Sequence, residues 1–167
     1  MHDLLTQGDI DLMQKEIDER FHTLRPKMLD DLKTARAFGD LSENFEYKSA
    51  KRAIALNDSR IRYLQEMIAS ARIISDKSDP DRVGLFDEVT ILPEDETEEE
   101  SWIIVTMIRT DTLNGRISLE SPLGKALMGH REGETVTVQI SSGASYRVRI
   151  TKLKKGKDDG SIPINAY

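Results

Sequence analysis

Two long stripes of apolar residues, in helical phase on either side of a short turn, constrain this 167-residue chain more than any other feature. The first takes in Ile10, Met13, Ile17, Phe21, Leu24, Met28, Leu32 and Ala35, in the steps of three and four that one face of a helix requires. The second runs Tyr47, Ala50, Ile54, Asn57, Ile61, Leu64, Ile68 and Ala71 at heptad spacing, with one polar member, Asn57, of the kind that fixes register. At 1.5 Å per residue each stripe predicts a helix about 40 Å long. Two such helices around a tight turn make an antiparallel hairpin that buries one seam and leaves its end in solvent. Pro26 removes one backbone donor from the first helix, and since the stripe continues in phase beyond it, the expectation is a bend rather than a break.

After Ser75 the pattern changes. Residues 76–82, Asp-Lys-Ser-Asp-Pro-Asp-Arg, read as a linker, and from Val83 the apolar period becomes two. Strands are expected at 86–92, 102–108, 116–120, 135–140 and 146–153, with turns at Asn114-Gly115, Glu132-Gly133 and Ser142-Gly143. Ser121-Pro122 opens a short helix, serine as cap and proline at the first helical position, which Gly129 closes. The acidic run from Glu94 to Glu100 reads as a solvated hairpin loop. The fold class is α+β: a coiled-coil hairpin over 1–75, a linker over 76–82, a small α+β domain over 83–155 and a flexible tail over 156–167.

Composition excludes several function classes. The net charge is −6, against a protein that coats nucleic acid nonspecifically through phosphate neutralisation. Residues 1–75 carry 12 basic and 13 acidic side chains and the remainder 12 and 17, so the excess negative charge lies late in the chain. With no cysteine, disulfides and thiolate metal sites are excluded. The N-terminal residues have no signal-peptide character and no later run is long enough to span a membrane, so a cytoplasmic protein without membrane contact is expected.

The turn of the hairpin is the one place where chemistry gathers. By spacing, Gly39 ends one helix, Asp40 caps the next and Glu43 completes a capping box. The same spacing lets the carboxylates of Asp40 and Glu43 converge on one cation across a first helical turn, and two oxygen ligands make only a partial Mg²⁺ site. Both readings stand at this level. Below the tip lie Lys33, Arg36, Lys48, Lys51 and Arg52, either a collar for RNA phosphates or ordinary helix-surface charge. His2, His22 and His130 have no zinc spacing, and no catalytic triad, P-loop or glycine-rich nucleotide fingerprint is present.

Ala35-Arg36-x-x-Gly39-Asp40-Leu41-x-Glu43-Asn44-x-Glu46-Tyr47 resembles the tip signature of the bacterial GreA/GreB transcription elongation factors, and Ser121-Pro122-Leu123-Gly124-Lys125-Ala126-Leu127-Met128-Gly129 resembles the signature of their C-terminal domain. Leu5-Thr6, Gly8, Arg25-Pro26, Val83 and Phe86 extend the similarity, which covers nearly the whole chain up to about Leu153 and is nearer to the GreA side of the family. The resemblance implies a coiled-coil finger and an FKBP-like C-terminal domain in a monomer that enters the secondary channel of bacterial RNA polymerase. There it would stimulate cleavage of the nascent RNA 3′ end in backtracked complexes without being an enzyme itself. It further implies that Asp40 and Glu43 hold an Mg²⁺ ion jointly with the polymerase, supported by Asn44. Arg36, Lys51 and Arg52 would face RNA, and Glu120, Ser121, Pro122 and Leu123 would bind the polymerase.

Two departures stand out: Phe45 where the family usually has alanine, and a tail that runs past the usual end. The other readings are a channel inhibitor of Gre shape without cleavage activity, a prolyl isomerase suggested only by the fold of the second half, and a coiled-coil adaptor with a structural tip. Retained Asp40 and Glu43 favour cleavage over the inhibitor, and few aromatics beyond Phe86, Trp102 and Tyr146 are available for an isomerase pocket.

Overall fold

The computed structural model describes residues 3–39 and 43–166. The chain divides into two compact units: Ile10–Ala71 form one, and the residues up to Asp9 together with Arg72–Ala166 form the other.

In the helical unit, α1 (Gln7–Glu19), a five-residue π-helical segment (Arg20–Leu24) and α2 (Arg25–Arg36) follow one another without a break, and α3 (Phe45–Ser70) returns alongside them. The first helix starts three residues ahead of the apolar stripe because Thr6 and Asp9 form a reciprocal cap. The Thr6 hydroxyl accepts from the Asp9 amide at 3.1 Å and the Asp9 carboxylate accepts from the Thr6 amide at 2.8 Å. Polar pairs join the two arms: Glu16 with Arg60, Arg20 with Asn57, Arg25 with Asp58, and Ala35 with Asn44. Between the first and last of these pairs the residue number climbs from 16 to 35 on one arm and falls from 60 to 44 on the other, which fixes the arms as antiparallel.

The bend expected at Pro26 is resolved as the π turn just before it. Proline has no N–H to offer the carbonyl of His22, and its ring crowds that carbonyl. The preceding turn widens, and the Arg25 amide reaches back five residues to Arg20. Asn57, 2% exposed, donates to the same Arg20 carbonyl at 3.2 Å and accepts from the Arg20 guanidinium at 3.0 Å. Phe21, expected in the seam, lies within this widened turn and is exposed. Among the described residues, Met13, Ile17, Ala35, Ile61, Leu64 and Met67 are the buried apolar side chains of this unit.

The other unit is built on a five-stranded sheet. A two-residue strand, β1 (Leu4–Leu5), runs parallel to β2 (Arg72–Ile73). The sheet then comprises β3 (Glu88–Pro93), β4 (Glu100–Val105), β5 (Arg116–Ser118), β6 (Thr135–Gln139) and β7 (Ser145–Lys154), in the order β5-β4-β3-β7-β6. Its pairs are antiparallel except β4 with β5, and a register shift between Thr90 and Ile91 bends β3 against β7. In β6, Val136 and Val138 are buried while Thr135, Thr137 and Gln139 face solvent, the alternation that a one-sided sheet requires. The core joins these valines to Val83, Val89, Ile91, Ile104, Val148 and Ile150, with Leu127 from α4 (Pro122–Leu127) laid against it. The acidic run from Glu94 forms the exposed β3–β4 hairpin loop, as expected.

The domain limits differ from 1–75, 76–82, 83–155 and 156–167 at three places. Residues up to Asp9 group with the sheet unit, because Leu4 and Leu5 pair with β2 and Leu5 is fully buried. Residues 76–82 are held to the sheet unit: Asp81 pairs with Arg131 at 2.7 Å, and the Lys155 ammonium donates to Ser78 at 2.8 Å and to the Arg82 carbonyl at 2.6 Å. The tail is docked as well. The Gly156 amide donates to Asp87 at 2.9 Å, Asp158 takes two hydrogen bonds from Arg109, and the Asn165 amide donates to the Ile108 carbonyl at 2.7 Å.

Candidate functional site

At the closed end of the helical hairpin, one side chain does the capping that Asp40 and Glu43 were expected to share. Asn44 adopts the extended backbone of an N-cap (φ −83°, ψ 97°), and its side-chain oxygen accepts from the Tyr47 amide at 3.0 Å. Its side-chain nitrogen donates to the Ala35 carbonyl in the last turn of α2 at 2.7 Å. Asparagine can do both because it carries an acceptor and a donor on one amide. Helix α3 therefore begins at Phe45, and Glu43 stands before the helix, exposed, rather than in its first turn. Asp40, Leu41 and Ser42 lie outside the described residues. Glu46 occupies the first turn of α3, where a carboxylate is favoured by the partial positive charge of the helix start. The signal for Asn44 was present in the sequence, a preferred cap residue three before Tyr47, but Asp-x-x-Glu offered the more familiar pattern.

The basic residues behind the tip are all exposed: Lys33 and Arg36 in the last turns of α2, and Lys48, Lys51 and Arg52 in the first two of α3. Lys51 is held over the ring of Tyr47, its ammonium 5.5 Å from the centroid, which fixes one cation beside the start of α3. Exposed carboxylate oxygen at the turn is a hard donor of the kind that suits Mg²⁺. Among the described residues no group of three or more histidine or acidic side chains is arranged to hold a metal ion.

Glu120, Ser121, Pro122 and Leu123 come together at the corner from β5 into α4. Ser121 is the N-cap, accepting from the Gly124 amide at 3.0 Å and donating to the Ser118 carbonyl at 2.6 Å. Its hydroxyl is thus committed to shaping the corner. A Cβ on Gly124 would overlap the Ser118 carbonyl oxygen, so only glycine lets the helix approach this closely. Pro122 is exposed, and Leu123 is half-buried on the wall of a recess of about 680 Å³ that Glu94, Glu100, Tyr146 and Arg147 also line.

Sequence reasoning missed Arg109, which is fully buried. Its guanidinium donates to Asp9, to both oxygens of Asp158 and to the Ile162 carbonyl, and it lies 5.0 Å from the ring centroid of Phe86. One cation thereby holds the segment before Ile10 and the tail to the sheet unit. A buried arginine needs this many acceptors, since an unpaired one is costly. Among the described residues no helix is long and apolar enough to cross a membrane.

With this geometry in place, the family models and the curated relatives agree. Residues 3–73 match a family model described as transcription elongation factor, N-terminal, and residues 66–155 match one described as transcription elongation factor, GreA/GreB, C-term. Transcription elongation factor GreA of Streptococcus gordonii is 40% identical over 154 residues, spanning 92% of this chain and 96% of that protein. The protein of the same name from Brucella anthropi is 39% identical over 146 residues, spanning 86% and 93%. Among solved structures, the GreA factor homolog 1 (Gfh1) of Thermus thermophilus aligns over 93% of this chain and all of that one, at 22% identity and a TM-score of 0.43.

Proposed function

Because this chain belongs to the GreA/GreB family of transcription elongation factors, we propose that it enters the secondary channel of bacterial RNA polymerase and stimulates cleavage of the RNA 3′ end in backtracked, arrested complexes. The observation that carries this reading is the exposed carboxylate of Glu43 at the closed end of an antiparallel helical pair, fixed by the Asn44 clasp and backed by exposed cations.

The division of labour follows from what the tip lacks. Two carboxylates are too few to hold Mg²⁺ tightly, so Asp40 and Glu43 would complete a site whose remaining ligands belong to the polymerase and the RNA. When bound, that ion supplies charge stabilisation to the oxygens of an in-line phosphoryl displacement. Glu43 and Asp40 also offer acceptor oxygens that orient a water molecule. Asn44 keeps the turn closed while they do so. Arg36, Lys51 and Arg52 neutralise RNA phosphates behind the tip, each cation giving a contact of the kind that ionic strength weakens. Glu120, Ser121, Pro122 and Leu123 form the surface that grips the polymerase, the serine and glycine of that corner setting its shape. The polymerase performs the chemistry; this chain lends it groups, as a monomer.

The test is to add the protein, with Mg²⁺, to polymerase halted in a backtracked register. Release of short 3′-terminal RNA fragments is expected. Inhibition of the polymerase without fragments would instead assign the chain to the channel inhibitors.

A further inference from the structure

Phe38 and Phe45 are 73% and 83% exposed, more than any other aromatic side chain among the described residues. Phe38 follows the end of α2 and Phe45 is the first residue of α3, so they flank the turn from both sides. Together with Glu43, Asn44 and Glu46 they line one open recess. Exposed rings set singly on a surface need no explanation, but two of the chain's four phenylalanines in a recess walled by carboxylates do.

Charge decides what can occupy that recess. Glu43 and Glu46 repel phosphate oxygens from it, so a nucleic acid can be attracted there only through a neutral part, the face of a base. Its backbone is served elsewhere: Lys33, Arg36, Lys48, Lys51 and Arg52 are exposed within about two helical turns of the rings. Aromatic faces next to a basic track are the arrangement by which proteins bind single strands without reading sequence. An apolar protein groove would find carboxylates on the rim where it needs neutral surface.

We propose that Phe38 and Phe45 form a stacking platform for the base of the extruded RNA 3′ nucleotide, holding that end beside Glu43. The proposal rests on the cleavage function above and names the group that positions its substrate. The rings are positioning residues. They touch no phosphate and donate no ligand, and their contribution depends on the presence of a base.

The experiment uses the full chain and polymerase halted in a backtracked register with 2-aminopurine at the extruded 3′ end. Asp40→Asn, which is expected to leave the RNA uncut, should quench the fluorescence, and adding Phe38→Ala and Phe45→Ala should abolish the quenching. In the otherwise unaltered chain, the double alanine variant should slow cleavage about tenfold, on the scale of one base stack. That loss should vanish on RNA whose 3′ nucleotide is abasic. Quenching that survives removal of the rings overturns the proposal. So does equal slowing on base-bearing and abasic RNA, which would place the rings against the polymerase. If the unaltered chain releases no fragments, the cleavage function falls, and the quenching still decides the stacking. Both substitutions are at exposed positions, and unchanged helical circular dichroism excludes unfolding as the cause.

Discussion

The side-chain amide of Asn44 donates to the carbonyl oxygen of Ala35 at 2.7 Å, so the last turn of α2 and the start of α3 are closed by one residue. Its other atom caps α3 through the Tyr47 amide. Asn44→Asp keeps the acceptor and loses the donor; Asn44→Ala loses both. We expect Asn44→Ala to destabilise the hairpin end by about 1–2 kcal/mol and Asn44→Asp by less. Amide exchange at Tyr47, faster in the alanine variant than in the aspartate one, measures this, and cleavage rates should fall in the same order. Equal exchange in all three proteins would show that the clasp contributes nothing.

Lys51 of the collar has an aromatic seat, its ammonium 5.5 Å from the centroid of Tyr47. Lys51→Ala is expected to weaken binding to RNA-bearing complexes and to reduce the salt dependence of that binding by about 0.7 in the log–log slope, the effect of one lost single-strand phosphate contact. Titrations at several salt concentrations check it. An unchanged slope would return Lys51 to ordinary surface charge.

The tail should come away in acid. Burial alone would raise the Asp158 carboxyl, but the hydrogen bonds from Arg109 outweigh it and hold the group below the usual aspartate range. A carboxyl that binds its proton less readily when docked contributes fully above the ordinary value near pH 4, and its contribution is lost as pH falls through the lower, docked value. Exchange at the Asn165 amide, bonded to the Ile108 carbonyl, should rise across that window. Asp158→Asn should lack the step, and an identical pH profile in both proteins would contradict the role of this pair.

Much of this was legible in the sequence because period and punctuation are local. The 3.6-residue stripes gave both helices, the alternating runs gave the strands of the sheet to within a few residues, and Ser121-Pro122 gave α4 with its cap in place. What was not legible depends on partners far along the chain. The π turn at Arg20–Leu24 involves Asn57 on the opposite arm as well as Pro26. The tail looked solvated because Asp158 sits among glycine, lysine and aspartate, while the arginine that holds it is 49 residues away. At the tip, Asp40 and Glu43 matched a capping box so well that Asn44, the residue that caps α3, was read only as their support.

The central claim is that carboxylates at the tip, and not the shape of the hairpin alone, promote RNA cleavage. Its most direct test is the single-turnover rate of 3′-end cleavage in backtracked polymerase with Mg²⁺, comparing the unaltered chain with Asp40→Asn and Glu43→Gln at saturating protein. Each substitution keeps size and one acceptor oxygen while replacing the other carboxylate oxygen by a neutral NH2 donor. We predict a rate lower by about 10²-fold or more for each, the scale on which loss of one charge-stabilising group is felt, with polymerase binding retained. Equal rates for all three proteins would contradict the account.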